Sequence, residues 1–324
     1  MNEWLREHLV CPIDRSDLAW TASKLTCHEA HEFPVVEGVP VMLRGDVPET
    51  HSECPASWKA ARAQNPRELV GVPDSSGAAT INPHVEKLIA STSGFLYKSI
   101  REGLPRYPIP DLRLPPGRGE RFLDVGSSWG RWSVAAARKG YAPVSLDPSL
   151  GAVLVAKQIF EQLGLNGSFV VGDARYLPFR AGSFDVVFSY SVLQHFGKEE
   201  VRQSFAQFKR VLKDGGRLLV QMPNKFGIRS LWHQLRRGFR APRNFEVRYW
   251  SPAELMSLGR EWIAAPRLTA DCFFGLGIQP ADIDLLPPAR RVIVHASEFF
   301  RKLSTTIVPL QRFADSLYLE GIVR

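Results

Sequence analysis

The chain reads as an α/β protein: a mostly parallel sheet with helices on both faces, preceded by a small β-rich module. From Glu120 onward, short apolar runs alternate with helix-period stretches, the pattern of parallel strands joined by crossover helices. The runs show little polar alternation, as expected of strands covered on both faces. Residues 1–48 have another texture, short apolar runs punctuated by Pro and Gly.

The elements follow in order. Residues 49–118 form a connector with helical stretches over 55–64 and 84–100, ending in RYPIPDLRLPPGRG. That last run cannot be helical, because its prolines remove donors and bias their predecessors to extended backbone. In residues 119–324, RFLDV and APVSLD are strands separated by an Ala-rich helix over 130–139. A helix over 150–163 leads to SFVVGD, and a turn at 180–183 leads to FDVVFSY. The helix over 198–212 meets a stop and turn signal at Asp214-Gly215-Gly216, after which GRLLVQMP is the fifth strand. RLTADCFF and SLYLEGIV are expected to pair as an antiparallel edge, making seven strands. Insertions fall around 225–265 and 276–310.

Composition narrows the class. The 324 residues amount to about two average domains, and 44% hydrophobic with 23% charged residues belongs to an ordinary core-forming protein rather than a disordered or collagen-like one. Cys11, Cys27, Cys54 and Cys272 are too few in this length for a disulfide framework. The N-terminus carries acids and lacks a long apolar core, so it does not read as a signal peptide. There is no uninterrupted apolar run of the roughly 18 residues needed for a membrane span. A reducing, cytoplasmic compartment is the expectation. The net charge of +8 invites an anionic partner, although 30 Arg among 41 basic residues is equally the mark of a GC-rich genome.

The strongest chemical signal is RFLDVGSSWGRW: an apolar strand, Asp124 at its end, then Gly126 and Gly130 opening a helix. Glycines there let backbone approach a ligand, and a helix N-terminus presents free N–H groups to an anion, pyrophosphate or carboxylate. Asp147 ends the next strand, placed to accept both hydroxyls of a ribose. Asp173 ends the third, placed to receive an exocyclic amine. A pyridine-dinucleotide reductase would share the fold, but Gly126-Ser-Ser-Trp-Gly130 departs from G-x-G-x-x-G and Asp124 has no part in that scheme.

The run from Asp124 to Asn224 resembles the class I S-adenosylmethionine-dependent methyltransferases, particularly their small-molecule branch. The resemblance implies a Rossmann-like seven-stranded sheet. It implies that Gly126, Ser127 and Gly130, beside Asp124, hold the methionine end of the cofactor and that Asp147 holds its ribose. Asp173 and the backbone of Ala174 would meet adenine, with Ser189, Tyr190 and Gln194 near the sulfonium. The family pattern has a further glycine where this chain has Ser128, and Ser tolerates positive φ poorly.

Methyl transfer from a sulfonium is an in-line displacement, in which alignment alone can contribute about 7–11 kcal/mol. His195, in SYSVLQHF just after the fourth strand, is the candidate general base, with packing of the following helix as the competing role. Ser189-Tyr190-Ser191-Val192 stands where amide and adenine-amine methylases carry Asn/Asp-Pro-Pro-aromatic. Cys54 and Cys272 lack the contexts of a covalent cysteine mechanism. An oxygen, carbon or simple amine acceptor on a small molecule, such as a saccharide or biosynthetic intermediate, is what remains.

Two further regions carry signals. Cys11, Asp14, Cys27 and His31 are spaced x2, x12 and x3, with His28 nearby, and two such knuckles suit a tetrahedral Zn²⁺. The segment resembles zinc-ribbon modules of ribosomal-RNA guanine methyltransferases, and its tail the small partner domain fused to small-molecule enzymes. Both usually have Cys where this chain has Asp14, which weighs against a retained metal. From Lys225 to Arg248 lie seven basic residues against the single acid Glu246, interleaved with Phe226, Trp232 and Phe239. That composition suits phosphates and stacked bases, an anionic membrane, or simply a solvated helix face. An RNA base is therefore the alternative acceptor, and a non-catalytic partner-binding protein retaining the cofactor fold is the alternative to an enzyme. Oligomeric state is not legible.

Overall fold

Strands that are apolar on both faces need cover on both, and the chain draws that cover from two sources. The computed structural model of the protein describes residues 3–47, 53–72, 81–92 and 104–323. Helix α1 (Glu3–His8) is followed by β1 (Leu18–Trp20), β2 (Lys24–Cys27), β3 (Glu32–Val36) and β4 (Val39–Pro40), paired in that order as an antiparallel sheet. Helices α2 (Glu53–Ala61), α3 (Pro66–Val70) and α4 (Pro83–Thr92) come next. The remainder of the helix expected over 84–100 lies outside the described residues. The proline-rich run then passes without helix into β5 (Arg121–Val125).

From β5 the chain alternates: α5 (Arg131–Arg138), β6 (Ala142–Asp147), α6 (Leu150–Gln162), β7 (Ser168–Val171), β8 (Phe184–Tyr190), α7 (Lys198–Val211) and β9 (Leu212–Pro223). Helices α8 (Ile228–Arg236) and α9 (Pro252–Trp262), strand β10 (Ala264–Cys272), helix α10 (Pro288–Thr306) and strand β11 (Ser316–Ile322) complete it. The large sheet has seven strands in the order β10-β11-β9-β8-β5-β6-β7. Its β5–β9 pairings are parallel, and β11 runs antiparallel to both β9 and β10. The helix expected over 198–212 stops at Val211, but the turn at Asp214-Gly215-Gly216 is a bulge inside β9, which starts at Leu212 rather than at Gly216. Pairing with β8 already begins at Phe184–Leu212 and shifts register before Val186–Arg217. Three more residues lie on β9 than on β8 across this shift, and Gly215 bends the surplus out at φ +76°.

On one face Phe205 and Phe208 of α7 and Leu255 of α9 pack against Leu123, Val187 and Val220, and the same core takes in Leu9, Cys11 and Phe33 of the N-terminal module. On the other, Trp132 of α5 and Val153 and Ile159 of α6 meet Phe122 and Phe188, joined by Tyr107, Ile109 and Leu112 of the proline-rich run. The module also occupies the open edge of β7. Val41 bridges Val171, Met42 N–H donates to Val171 O (2.7 Å) and Val10 N–H to Pro178 O (2.9 Å). An unpaired strand edge is thereby covered.

Three elements are tied internally by a buried polar chain. Ser145 Oγ on β6 donates to Ser133 Oγ on α5 (2.7 Å), and Ser133 Oγ donates to Asp124 Oδ2 on β5 (2.7 Å). Burial, with the Asp147 charge adding to it, pushes the Asp124 carboxyl up to about 7 against the hydrogen bond from Ser133. A folded-state value above the unfolded one means that the native state holds the extra proton. This group's contribution to stability is therefore lost as pH rises from about 4 to about 7. Asp124→Asn mimics the protonated form. Its urea midpoint should match the parent at pH 3.5 and exceed it at pH 8, and parallel profiles for the two proteins would show that Asp124 does not titrate in this window.

Candidate cofactor site and metal centre

The site grows from the abrupt end of β5. Gly126, Ser128 and Gly130 take φ +78°, +48° and +82°, so the backbone turns through three left-handed residues into α5. Gly126 and Ser127 N–H both donate to Leu146 O (2.7 and 3.0 Å), clamping the turn to β6. Ser128 holds the left-handed conformation with its N–H bonded to Asp147 Oδ2 (2.8 Å). Asp147 Oδ1 accepts from Ser149 N–H (2.9 Å), so the carboxylate sits between the glycine turn and the start of α6. A side chain at Gly126 would meet Val192 Cγ2 at 2.1 Å, and one at Gly130 would meet Ala156 Cβ at 3.0 Å. Both glycines thus serve close packing as well as turn geometry.

After β8, Ser191 is again left-handed (φ +63°), its N–H donating to Gln221 Oε1 (2.8 Å). Ser189 Oγ donates to Val125 O (3.1 Å). Gln194 Nε2 donates to Ser191 Oγ (2.7 Å). Among the described residues, Gln194 Oε1 and Ser127 Oγ are buried and have no hydrogen-bond partner. Two buried polar acceptors left open beside one turn are an unfavourable arrangement for the protein alone, and a ligand bearing hydroxyl and ammonium donors would answer both. The residues present therefore fit a nucleoside–amino-acid cofactor.

Asp173 and Tyr190 are differently engaged. Arg175 takes both Asp173 oxygens, Nη2 to Oδ2 at 2.7 Å and Nε to Oδ1 at 3.1 Å, and also reaches Glu200 (3.3 Å). Ala174 is buried beside them. Tyr190 OH donates to Asp271 Oδ2 (2.7 Å), which also accepts from Ser316 Oγ (3.0 Å). Arg113 of the proline-rich run donates to Asp271 Oδ1 (3.1 Å). Burial first, then the Asp271 charge, hold the Tyr190 phenol well above its ordinary value. Asp271, Arg113, Gln221 and Ser316 were not singled out from the sequence. The available signal was one acid inside the apolar strand RLTADCFF, since an unpaired charge is rarely fully buried.

His195 is built into the loop over the site. Its Nδ1–H donates to Phe245 O (2.7 Å), leaving Nε2 as an acceptor 3.1 Å from Gln194 Nε2. The ring lies stacked on Phe245, centroids 3.7 Å apart. Arg248 clasps the same loop, its N–H donating to Gln194 O (2.8 Å) and its Nη1 to His195 O (2.7 Å).

In the N-terminal sheet, Cys11, Asp14, Cys27 and His31 bring one ligand atom each within 4.8 Å of all the others. The two knuckles turn alike: Arg15 N–H donates to Cys11 O and Ala30 N–H to Cys27 O, with Arg15 and Ala30 both left-handed. His31 Nδ1 lies 3.6 Å from Cys11 Sγ, 3.2 Å from Cys27 Sγ and 3.0 Å from Asp14 Oδ2, with Cys27 Sγ to Asp14 Oδ2 at 3.3 Å. Ligands about 2.0–2.3 Å from a tetrahedral Zn²⁺ have edges of this order, so the donor set fits the ion. His28 is exposed and turned to Glu29. Cys11, Cys27, Cys54 and Cys272 are all buried, and among the described residues no helix is long and apolar enough to cross a membrane.

Residues 122–216 match the family model described as "Methyltransferase domain". The chain is 39% identical over 105 residues to a demethylmenaquinone methyltransferase of Beutenbergia cavernae, covering 32% of this chain and 40% of that protein. It is 36% identical over 100 residues to the biotin biosynthesis bifunctional protein BioHC of Cellvibrio japonicus, covering 31% of this chain and 19% of that protein. The chain thus spans less than half the length of these relatives. Among solved structures, the YcgJ protein of Bacillus subtilis is 21% identical, with 64% of this chain and 93% of that one covered and a TM-score of 0.41. Strand order, glycine turn and family match agree: residues 122–216 are a methyltransferase domain of the class I, S-adenosylmethionine-dependent kind.

Proposed function

We propose that this chain transfers a methyl group from S-adenosylmethionine to a small-molecule acceptor, a saccharide or biosynthetic intermediate, by in-line displacement. The observation that carries the reading is the convergence of the glycine turn and Asp147 with the unpartnered Ser127 Oγ and Gln194 Oε1 at the carboxyl edge of the sheet. Of the two relatives described above, one is named for demethylmenaquinone and the other for biotin biosynthesis, both small molecules, which supports the acceptor class. When bound, the sulfonium supplies an electrophilic methyl carbon.

The chain's residues position and exclude. Gly126, Ser127 and Gly130, with Asp124 behind them, hold the amino-acid end, and Asp147 accepts the ribose hydroxyls. Asp173, braced by Arg175, and the Ala174 backbone border the adenine. Ser189, Tyr190 and Gln194 face the reacting centre. His195, with Nδ1–H committed to Phe245 O, presents the Nε2 lone pair; an acceptor hydroxyl replacing the Gln194 amide there would pass it its proton. Asp147→Ala should weaken binding of S-adenosylhomocysteine by about 1.5–3 kcal/mol through lost charged hydrogen bonds; calorimetry showing unchanged affinity would remove Asp147 from the site. His195→Ala should lower kcat by roughly 10²-fold or more while sparing that affinity. If activity falls only in step with the melting temperature, His195 serves packing on Phe245.

We further propose that residues 1–48 form a module carrying a structural Zn²⁺ on Cys11, Asp14, Cys27 and His31, joined through 49–118 to the domain over 119–324. Protein purified without added metal should contain zinc near one per chain. Cys27→Ser should lose it and melt at lower temperature. Metal-free protein with the melting temperature of the parent would refute the site.

A further inference from the structure

Helix α8 turns the unexpected face outward. Its buried positions are Ser230 and Gln234, whereas Ile228, Leu231, Trp232 and Leu235 are 49, 41, 54 and 57% exposed. Those four recur at i, i+3, i+4 and i+7, which gathers them into one apolar stripe. A helix docked by its apolar face would show the reverse. The inversion is anchored by polar contacts: Asp315 Oδ1 accepts from the N–H groups of Arg229 (2.6 Å) and Ser230 (2.8 Å), and Gln234 Nε2 donates to Lys225 O (2.8 Å). A side chain at Gly227 would meet Asp315 Cα at 2.4 Å, so the helix start is pressed onto the body of the protein and cannot roll to hide the stripe. Phe239, 63% exposed, extends the apolar surface past the helix end, where its N–H is held by Gln234 O (2.9 Å).

Cations border this surface. Arg229 and Arg236 lie beside the stripe on the helical wheel, with Arg240 and Arg243 following in sequence, and Glu246, the only acid between 225 and 248, is bound by Arg240 (2.6 and 2.7 Å). Burial and the neighbouring Arg229, Arg236 and Arg237 hold His233 below its ordinary range, a sign of the local positive field. An apolar stripe flanked by arginines is matched in both parts by a bilayer, whose acyl boundary takes Ile, Leu and Trp while anionic headgroups meet the cations. RNA would pair the arginines and stack on the aromatics but offers nothing to Ile228, Leu231 and Leu235. A second copy docked face to face would oppose two arginine rims.

We infer that the outward face of α8, continued by Phe239, is a docking surface for an anionic membrane. The segment after it reaches the site, through Phe245 on His195 and Arg248 on the backbone of Gln194 and His195. Resting on the proposed methyl transfer, docking would hold the loop over His195 near the bilayer and favour an amphiphilic acceptor presented from it.

The test is flotation of the full chain with vesicles of phosphatidylglycerol and phosphatidylcholine in equal parts, against phosphatidylcholine alone. Binding should be at least tenfold tighter to the anionic vesicles. Leu231→Asp and Leu235→Asp should each weaken it tenfold or more, and Arg236→Glu combined with Arg243→Glu likewise, all keeping the parent's melting temperature. Absence of flotation on anionic vesicles, or flotation indifferent to the leucine changes, would overturn the inference. So would leucine-dependent dimerisation in solution, or single-stranded RNA binding lost with the same leucine changes. Affinity for S-adenosylhomocysteine without vesicles reads the methyl-transfer proposal separately: a chain that floats but binds no cofactor product would refute that proposal and leave the docking surface standing.

Discussion

The carboxyl edge of the sheet is organised by the lack of space between two turns. The bare Cα of Gly126 lets Val192 of the loop after β8 rest directly on the turn after β5, where any side chain would stand 2.1 Å from Val192 Cγ2. Everything nearby inherits that closeness. The clamped turn holds Ser127 and Ser128 against β6, Ser128 orients Asp147, and the loop carrying Val192 brings Gln194 and His195 alongside. Left-handed backbone at Gly126, Ser128, Gly130 and Ser191 is tolerated because the surrounding hydrogen bonds leave few alternatives. Ser128, the one departure from the family's glycines in this turn, is held by its own N–H bond to the acid it positions.

The other wall of the edge is assembled from distant segments. Tyr190 at the end of β8, Asp271 on β10, Ser316 on β11 and Arg113 of the proline-rich run meet in one buried network. A buried carboxylate is costly unless paired and fully hydrogen-bonded, and Asp271 has both. The prolines explain how Arg113 arrives there: a run that cannot coil can lie extended over the helices beside the sheet and cross to the far strands. Arg131 and Asp282, paired at 2.8 Å, and Arg131 Nε on Pro108 O (3.0 Å) fasten the same run to α5 and to the segment before α10.

The N-terminal module and α8 occupy opposite kinds of surface. The module shares its apolar interior with the main core and satisfies the edge of β7, so its cysteines are held by packing as well as by their own knuckles. Helix α8 is held by polar anchors and keeps its apolar stripe outside. One surface has been absorbed into the fold. The other is presented to whatever lies beyond it.

Much of this architecture was legible in order and spacing. Uniformly apolar runs such as FDVVFSY and GRLLVQMP announce strands buried on both faces, and glycines with acids at strand ends mark where a parallel sheet gathers its ligands. The knuckle spacing of Cys11, Asp14, Cys27 and His31 is likewise local, because each pair is joined by a short turn. At Asp214-Gly215-Gly216 the helix stop was legible, but the start of β9 before the turn was not, because pairing with β8 is what makes that turn a bulge. Contacts between residues 81 and 158 positions apart, Tyr190 with Asp271 and Arg113 with Asp271, leave no periodic trace, nor does the engagement of both His195 nitrogens. Above all, composition could pair the aromatics and arginines of 225–248 but not say which face of α8 is buried. Periodicity shows that a helix is two-sided; which side is wet depends on what packs against it, here Asp315 from the far end of the chain.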